Sequence, residues 1–521
     1  MFRPLLALTA LACTVAAPGA THLILTDGLL IDGSGGPPRV ADIEILPSGR
    51  LGRIGPMDHT DATVRSIRGL AVSPGFIDVH THAENIARFP AATNFLRMGV
   101  TTLVLGNCGS SKLRVGEFFN TLEAQGISPN VATLIGHNSV RLEAMKGSFM
   151  RPPTATELQH MTRLVEQAMH DGALGLSTGL IYLPGTFART AEITALARAA
   201  GAQGGLYVSH MRSEGDKILD AIDELLEISR SAALPAHVSH IKASGRPNWN
   251  RSREILARLD DARAAGLSIT QDEYVYTASS TGISALIPQR FREGTRKDFV
   301  KRLADAQTKA QLVAAMKKEL KRKREPDYSY AVIAAWKKDH RLDGLRIPEA
   351  AKVRRGTDSL ADQLELIFEI HAAGGASGVY HKMIEPDIAT FMRNPFTMFA
   401  ADSSVREFNS GVPHPRGYGN NARALARYVR EQGILSLPEA VRRMTSLPAR
   451  TFKLKDRGTI RTGAWADLVV FDPANVQDRA TFAAPHAYAT GFHQVMVNGV
   501  TVIEDDQHVG TLPGKTLRRN R

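Results

Sequence analysis

Residues 74–82 read PGFIDVHTH, a short apolar run that ends in two histidines. An apolar run of this length beside a glycine and a proline is typical of a buried β-strand. His80 and His82 are two residues apart, and alternation along a strand points both imidazoles to the same face. The pair can therefore reach a single metal ion at the end of the predicted strand.

Seven more strand-like runs follow this first one, and amphipathic helical patterns separate most of them. The eight predicted strands are GFIDVH, TTLVLG, PNVATLIG, GALGLST, GLYVSH, AHVSHI, LSITQDEY and FTMFAAD. Alternating strands and helices with apolar, parallel-type strands predict an α/β fold. Eight such units predict a (β/α)8 TIM-type barrel over residues 73–451, whose active site lies at the C-terminal ends of the strands.

Metal-binding side chains recur at the predicted strand ends. Besides His80 and His82 after strand one, the set comprises Cys108 after strand two, His210 ending strand five, His240 ending strand six and Asp402 ending strand eight. Any one of these alone would be read as an ordinary core or surface residue. Together they predict a Zn²⁺ site, because imidazole and thiolate ligands favour that ion, with the carboxylate as ligand or acid/base.

Both ends of the chain are rich in short β-runs with Asp-Gly and Asn-Gly turns. THLILTDGLLIDGSG lies near the N-terminus and HQVMVNGVTVIEDD near the C-terminus. Such runs are typical of antiparallel strands joined by tight turns. We predict that residues 21–72 and 452–521 build one small β-sandwich domain. Two separate β modules are the alternative, because the pattern does not pair the strands.

Residues 1–20 read MFRPLLALTALACTVAAPGA and are typical of a signal peptide: one Arg, an apolar run, then small residues. They predict a periplasmic or secreted protein. A lipoprotein cleavage site before Cys13 and a simple hydrophobic start to the first strand are the alternatives. No other stretch of the sequence is long and apolar enough for a transmembrane segment. If the signal is removed, Cys108 remains as a lone thiol and cannot form an internal disulfide.

The 521 residues are 43% hydrophobic and 22% charged, a composition that excludes disordered, collagen-like and coiled-coil proteins. The net charge of +12 is confined to two segments. Residues 290–325 carry thirteen Lys and Arg against five Asp and Glu, and residues 510–521 carry four bases and no acid. We interpret residues 288–357 as a basic helical insertion between strands seven and eight, and the rest of the chain as formally balanced.

The motifs around these residues resemble the amidohydrolase superfamily and, within it, the D-aminoacylase (N-acyl-D-amino-acid deacylase) family. They are PGFIDVHTH, GNCG, GHNSVR, GALGLSTGLIYLPG, YVSHMRSEG, HVSHIKASG, YVYTASST, AADSS, HPRGYG and GTIRTGAWADLVVFDP. The histidine pair and the C-terminal motif occur across the superfamily. The combination of GNCG, HVSHIKASG and HPRGYG is much more specific, and the similarity extends over about residues 22–515.

The resemblance implies roles for the predicted ligands. Cys108, bound as thiolate, takes the place of the carboxylated lysine of many relatives, since strand four ends in LSTG without a lysine. Cys108, His210 and His240 would form one tight Zn²⁺ site. His80 and His82 would serve a second, weaker or vacant site that shares Cys108. Asp402 would be the catalytic acid/base that moves a proton between water and the leaving amine.

Recognition of the substrate α-carboxylate requires a cation. Lys242 lies two residues after His240, and Arg416 in HPRGYG offers a bidentate fork on the loop after Asp402. Tyr182 after strand four and Tyr276 after strand seven complete the predicted substrate contacts. The alternative for each is a surface ion pair or a solvated loop residue. Three further polar residues at strand ends, His137, Arg141 and Arg212, are candidates for structural support.

The sequence thus predicts an enzyme that hydrolyses N-acyl-D-amino acids with zinc, a small-molecule substrate and no nucleic-acid partner. The runner-up is another amidohydrolase acting on cyclic amides or dipeptides. A third hypothesis is a non-catalytic envelope or nucleic-acid-binding protein that uses the basic insertion. That segment has only Phe291 and Phe299 as aromatics for base stacking, and a solvated helix face explains it more simply.

Overall fold

The computed structural model describes residues 22–147 and 149–519. The predicted signal peptide lies outside the described residues. The strands are β1 (Leu23–Leu30), β2 (Arg39–Ile45), β3 (Leu51–Ile54), β4 (Thr63–Ser66), β5 (Ala71–Pro74), β6 (Phe76–Asp78), β7 (Val100–Leu105), β8 (Asn130–Thr133), β9 (Ile135–Gly136), β10 (Gly175–Gly179), β11 (Leu206–His210), β12 (Ala236–Val238), β13 (Ile269–Glu273), β14 (Ser279–Gly282), β15 (Ala331–Ala335), β16 (Ser377–Tyr380), β17 (Thr397–Phe399), β18 (Leu468–Phe471), β19 (Phe492–Val497), β20 (Val500–Glu504) and β21 (Gln507–His508).

The helices are α1 (Thr93–Leu96), α2 (Val115–Gln125), α3 (His137–Met145), α4 (Ala155–His170), α5 (Thr190–Ala202), α6 (Ile218–Ala232), α7 (Ser252–Ala264), α8 (Arg296–Ala304), α9 (Ala306–Arg322), α10 (Ile347–Arg355), α11 (Leu360–Ala372), α12 (Glu385–Arg393), α13 (Arg416–Arg423), α14 (Leu437–Met444) and α15 (Ser446–Thr451). A π-helix, Ala424–Glu431, continues α13. Among the described residues, no helix combines the length and the apolar character that crossing a membrane requires.

Eight parallel strands form a closed barrel, as predicted. They are β6, β7, β8 together with β9, β10, β11, β12, β13 and β17, paired in that order. β8 and β9 act as one strand, since Leu134 alone separates them and its N–H bonds the Leu105 carbonyl at 2.9 Å. The barrel closes between β17 and β6, where Asp402 N–H donates to the His80 carbonyl (2.9 Å) and His82 N–H to that of Ser403 (2.8 Å).

Alternation along the barrel strands separates two apolar layers. One apolar cluster fills the barrel. It contains Ile77, Val104, Ala132 and Val208 from the strands, together with Phe452, which follows α15. The alternate residues belong to the larger cluster formed with the surrounding helices. The helices contribute one apolar face each, as their sequence period predicts; α4, for example, buries Met161, Val165, Ala168 and Met169. This packing fixes the strand ends that carry the predicted ligands.

The two chain ends form one nine-stranded mixed sheet. Its order is β21-β20-β19-β18-β5-β1-β2-β3, with β4 also paired to β1. β5 joins the two ends, because it pairs with β1 and with β18. Leu468 and Val470 face a cluster made by the sheet itself, whereas Val469 and Phe471 face the barrel helices. The β-rich ends that the turn motifs predicted are thus hydrogen-bonded to each other.

The basic insertion is only partly helical, which differs from our prediction. α8, α9 and α10 lie within the predicted bounds of 288–357, but α11 lies beyond them and a three-stranded antiparallel sheet, β14-β16-β15, ties the segment together. β14 and β16 start and end the segment, which has its own apolar core. Their sequences, SSTG and SGVY, are short and lack a clear apolar alternation, so the pattern did not reveal strands that pair across almost a hundred residues.

Candidate metal centre

The predicted ligands meet at the C-terminal end of the barrel. Each lies at or just after the end of its strand: His80 and His82 follow β6, Cys108 follows β7, His210 ends β11, His240 follows β12 and Asp402 follows β17. All are buried except His82, whose side chain is 35% exposed. Residues from five strands therefore converge on one point, which is the position of active sites in this fold.

The Cys108 thiol is the centre of the cluster. Its Sγ lies 3.5 Å from His210 Nδ1, 3.6 Å from His240 Nε2 and 3.3 Å from His80 Nε2. Zinc–nitrogen bonds of about 2.0–2.1 Å and a zinc–sulfur bond of about 2.3 Å, set at the tetrahedral angle, place sulfur and nitrogen ligands about 3.5 Å apart. The donor atoms are thus already spaced as zinc ligands, and the residues fit this ion.

A second group of donors adjoins the first. His82 Nε2 lies 3.2 Å and His80 Nε2 lies 3.6 Å from Asp402 Oδ1. Two sets, Cys108–His210–His240 and His80–His82–Cys108, each have all their donor atoms within 4.8 Å of one another. Cys108 belongs to both, so the geometry allows one thiolate to bridge two ions. His82 is the most exposed of these donors.

Three site residues have a left-handed backbone. The φ angle is 53° at Cys108, 33° at His240 and 45° at Asp402. This conformation is unfavourable for residues with a β-carbon, and it persists where surrounding structure dictates it, typically at functional sites. At Cys108, the neighbouring Asn107 amide donates to the Val104 carbonyl at 2.9 Å and fixes the turn. The turn directs the thiol towards His80, His210 and His240.

Two carboxylates orient the histidines, the buried Asp272 and the half-buried Glu214, and sequence reasoning missed both. Glu214 Oε1 lies 2.9 Å from His240 Nδ1. Asp272 Oδ2 lies 3.3 Å from His80 Nδ1, and Asp272 Oδ1 accepts the His240 backbone N–H at 2.9 Å. A carboxylate on the far ring nitrogen fixes the tautomer and raises the basicity of a metal-binding histidine. The only signal in the sequence is their position, near the ends of strands five and seven.

The electrostatics of the site favour a bound cation beside the thiol. Burial raises the pKa of the Cys108 thiol well above its usual range, and the nearby Asp402 and Glu214 carboxylates raise it further. Burial also acts to raise the pKa of Asp402, but the Arg416 guanidinium and His80 outweigh it and hold that pKa well below the usual value. A bound Zn²⁺ supplies the positive charge that a thiolate needs in such surroundings.

The predicted substrate contacts lie in different surroundings. Arg416 Nη2 lies 2.8 Å from Asp402 Oδ2, while its Nη1 is buried without a hydrogen-bond partner. Lys242 Nζ lies 2.6 Å from Glu214 Oε1 and is almost fully buried. The Tyr182 ring packs 4.7 Å from that of His210. These three side chains surround the metal centre.

Tyr276 faces a different part of the molecule. Its ring contacts those of His414 (5.4 Å) and Phe482 (6.1 Å), beside a separate cavity. Tyr274 is the aromatic residue of strand seven that lies between the predicted cations, 4.3 Å from the Arg416 guanidinium carbon and 5.5 Å from Lys242 Nζ. β13 ends at Glu273, so strand alternation does not fix the directions of the two tyrosines that follow it.

His137, Arg141 and Arg212 make buried or half-buried contacts with carboxylates. Arg141 Nη1 donates to both oxygens of Glu192 (2.6 and 2.5 Å), and His137 Nε2 lies 2.9 Å from the same carboxylate. Arg212 binds Glu224 at 2.9 Å. These pairs support the loops around the site and make no contact with the predicted ligands.

A closed (β/α)8 barrel with histidines, a cysteine and an aspartate at its C-terminal end defines the class of metal-dependent hydrolases. The family model described as "Amidohydrolase family" matches residues 64–503. The chain therefore belongs to the amidohydrolase family, and within it to the D-aminoacylase group, as its relatives show.

The curated relatives match along nearly the whole chain. The N-acyl-D-glutamate deacylase of Alcaligenes xylosoxydans xylosoxydans is 35% identical over 96% of this chain and 96% of its own length. The D-aminoacylase of the same organism is 34% identical over 95% and 97%. Among solved structures, N-acyl-D-glutamate deacylase from Bordetella bronchiseptica, complexed with zinc and a phosphonate inhibitor that mimics the tetrahedral intermediate, superposes with a TM-score of 0.81 at 33% identity, covering 96% of this chain and 100% of that one.

Proposed function

We propose that this protein hydrolyses the amide bond of N-acyl-D-amino acids with zinc, releasing a carboxylate and a free D-amino acid. The observation that carries the proposal is the Cys108–His210–His240 donor set, spaced for zinc, with the Asp402 carboxylate beside it. The D-aminoacylase and N-acyl-D-glutamate deacylase names of the relatives support the substrate class.

Cys108, His210 and His240 would hold the tight zinc ion, and His80 and His82 a second, weaker one. When bound, zinc supplies a Lewis acid and a nucleophile at neutral pH. Glu214 holds His240 through Nδ1, so that Nε2 is free to act as the ligand. Burial of Cys108, His210 and His240 excludes competing water from the ligands of the tight site.

Asp402 is the proton carrier of the reaction. The Arg416 guanidinium and His80 overcome the effect of burial and keep its pKa low, so the carboxylate is ionised at neutral pH and can accept a proton. One oxygen, Oδ1, faces His80 and His82 and thus the metal cluster. From there Asp402 takes the proton of the attacking water and returns it to the departing amine nitrogen.

The substrate α-carboxylate would bind to Arg416. Its Nη1 is a buried donor without a partner, and such a group is normally satisfied by a ligand or by water. Tyr274 packs on the same guanidinium and limits its movement. Lys242, paired to Glu214, and Tyr182, stacked near His210, complete the positive and polar wall of the pocket.

Two measurements test this function. A panel of N-acetyl-D- and N-acetyl-L-amino acids with acidic, basic and apolar side chains should show turnover confined to the D series; equal rates on both, or turnover of dihydropyrimidines instead, would reject it. Asp402→Asn should keep the tight zinc ion and lose about 10²-fold or more in kcat, because the proton carrier is removed. Near-normal rates in that variant would exclude the role of Asp402.

We also propose that the protein is exported to the periplasm or secreted. The apolar run with small residues in residues 1–20 supports this proposal. Expression of the full chain followed by cell fractionation and N-terminal sequencing tests it. A mature N-terminus near residue 21 in the periplasm or the medium is expected, and an intact Met1 in the cytoplasm would contradict export.

A further inference from the structure

A cavity of about 320 Å³ lies apart from the metal ligands, on the side of Tyr276. Its wall includes Arg423, Arg427, Glu431, Asp478 and Phe482. None of the predicted metal ligands, nor Asp402, lines it. The volume is at the lower end of the range for ligand pockets, which suits a molecule of a few atoms to about ten.

One helical face supplies the charged wall. Arg423 is the last residue of α13, and Arg427 and Glu431 follow at intervals of four in the π-helix Ala424–Glu431. Residues spaced by four lie on the same face of a helix, so two guanidiniums and one carboxylate line up along the cavity. π-helical segments inside helices occur frequently at functional sites.

A buried tyrosine forms part of the cavity wall. Tyr276 is only 3% exposed, and its hydroxyl interacts with the Asp478 carboxylate without a hydrogen bond of ordinary geometry. A ligand that enters the pocket can offer this hydroxyl a better-placed partner. The rings of Tyr276 and Phe482, whose centroids are 6.1 Å apart, give the same pocket an apolar side.

The charges of the wall indicate what kind of ligand fits. Arg423 and Arg427 are balanced by Glu431 and Asp478, so a simple anion would meet two carboxylates as well as two guanidiniums. Within the described chain the terminal nitrogens of Arg427 donate no hydrogen bond, since its Nε alone binds Glu385, at 2.9 Å. A ligand with one carboxylate and one ammonium group would match both signs.

We propose that this pocket binds a free α-amino acid, its carboxylate on Arg427 and Arg423 and its ammonium on Glu431 and Asp478. That the amino acid is the released D-product rests on the proposed function. The site is separate from the catalytic pocket, so the enzyme holds product at a second position.

The structure connects this pocket to the catalytic residues. α13 carries Arg416, the partner of Asp402, as its first residue and Arg423 as its last. The His414 ring packs 5.4 Å from that of Tyr276, and His414 Nδ1 accepts the Arg416 backbone N–H at 3.1 Å. An amino acid bound against Tyr276 and Arg423 thus acts on both ends of the helix that positions Arg416, and its binding free energy can be coupled to turnover.

Product inhibition of the zinc-loaded enzyme tests the proposal. With the N-acetyl-D-amino acid that is turned over fastest, the corresponding free D-amino acid should lower kcat in addition to raising KM. In Arg427→Met and Glu431→Gln, the inhibition constant that describes the fall in kcat should rise at least 10-fold. The kcat of both variants without added product should stay within 2-fold of the wild-type value. Arg253→Met, a matched change at an exposed arginine of α7 outside the cavity wall, should behave as the wild type. Purely competitive inhibition of the wild type would overturn the proposal.

Calorimetry separates this proposal from the proposed function, because it needs no turnover. The free D-amino acid should bind the wild type at one more site than it binds Arg427→Met. Acetate, methylammonium and inorganic phosphate serve as probes of one charge sign, and each should bind the second site at least 10-fold more weakly than the amino acid. Equal binding by acetate or phosphate, or the same stoichiometry in both proteins, would contradict a zwitterion site whatever the enzyme hydrolyses.

Discussion

Lys317, Lys318 and Lys321 of the insertion are exposed to solvent. In the barrel, by contrast, the buried Cys108 Sγ lies within 3.6 Å of a ring nitrogen of His210 and of His240. The insertion carries most of the net charge of the chain, and the metal centre carries groups whose charges are balanced locally. Exposed charges are screened by water and salt, while buried charges interact strongly and must be paired. The basic pI therefore describes the periphery, and the chemistry depends on a few buried groups.

This contrast predicts that the largest effect follows from removing the thiol. Cys108→Ala should lose stoichiometric zinc and at least about 10³-fold in turnover, because without the metal water keeps a pKa near 15.7 instead of about 7. Elemental analysis and initial rates on the same preparation measure both. His82→Asn is the control, since it touches only the second donor group and should retain one tight zinc. Full zinc content in Cys108→Ala would show that the thiol is not a ligand.

A smaller effect is expected at the carboxylate behind His240. Glu214→Gln should weaken zinc binding about 10- to 100-fold, because it removes the charge that holds the Nδ1 proton of a ligand. Competition with a chelator gives the zinc Kd. Glu224→Gln is the matched control: this carboxylate holds Arg212 and should leave the zinc Kd unchanged. Equal affinities in wild type and Glu214→Gln would remove Glu214 from the support of the metal.

Away from the metal, the buried Arg141–Glu192 pair should contribute to stability. Arg141→Met leaves Glu192 buried without its main partner, which costs about 3–5 kcal/mol in the free energy of unfolding. The urea midpoint at pH 7 measures the loss. Arg151→Met, an exposed arginine paired to Glu157, should change the midpoint little. A similar shift in both variants would contradict the difference between buried and exposed pairs.

The Arg141–Glu192 pair should also make the unfolding free energy depend on pH. Burial acts to raise the pKa of Glu192, but His137 and Arg141 together hold it below the usual value for a glutamate. A lowered folded-state pKa contributes stability above the unfolded value, and this contribution is lost as pH falls through the folded one. The difference in unfolding free energy between wild type and Arg141→Met should therefore become smaller below about pH 4.5. A gap that stays constant into acid would show that Glu192 is not ionised in the fold.

The smallest effect belongs to the insertion. Changing Lys297, Lys317, Lys318 and Lys321 together to Gln should alter kcat/KM less than 2-fold and the unfolding free energy by no more than about 0.5 kcal/mol per site, as expected for exposed positions. Steep salt-dependent DNA binding by the wild type that disappears in this variant would instead support a nucleic-acid role for the segment.

The barrel could be predicted from the sequence because its signals are local. Each strand is a short apolar run, and the metal-binding residues end these runs, so eight strands and the positions of six site residues follow from periodicity and spacing. Glu214 and Asp272 could not be predicted in the same way. An acidic residue near a strand end has the same sequence pattern whether its side chain faces solvent or a histidine. Only the packed barrel shows that Glu214 contacts His240 and that Asp272 contacts His80.

The insertion shows a second limit of prediction from the sequence. Its helices follow from composition, but β14 and β16 pair across almost a hundred residues, and SSTG carries little β-propensity. Tyr274 and Tyr276 show that the surroundings of a single side chain also cannot be predicted from the sequence. They are two residues apart just after β13, yet Tyr274 packs on Arg416 and Tyr276 lies beside a different cavity.

Turnover measured against bound zinc tests the central claim most directly. Metal-free protein is titrated with Zn²⁺, and deacylation of the preferred N-acetyl-D-amino acid is followed with its L-isomer as the control. The account predicts that the D rate is negligible without metal and rises linearly to a maximum at about one zinc ion per chain, with no L turnover. Full D turnover in protein with less than about a tenth of an equivalent of metal would contradict it.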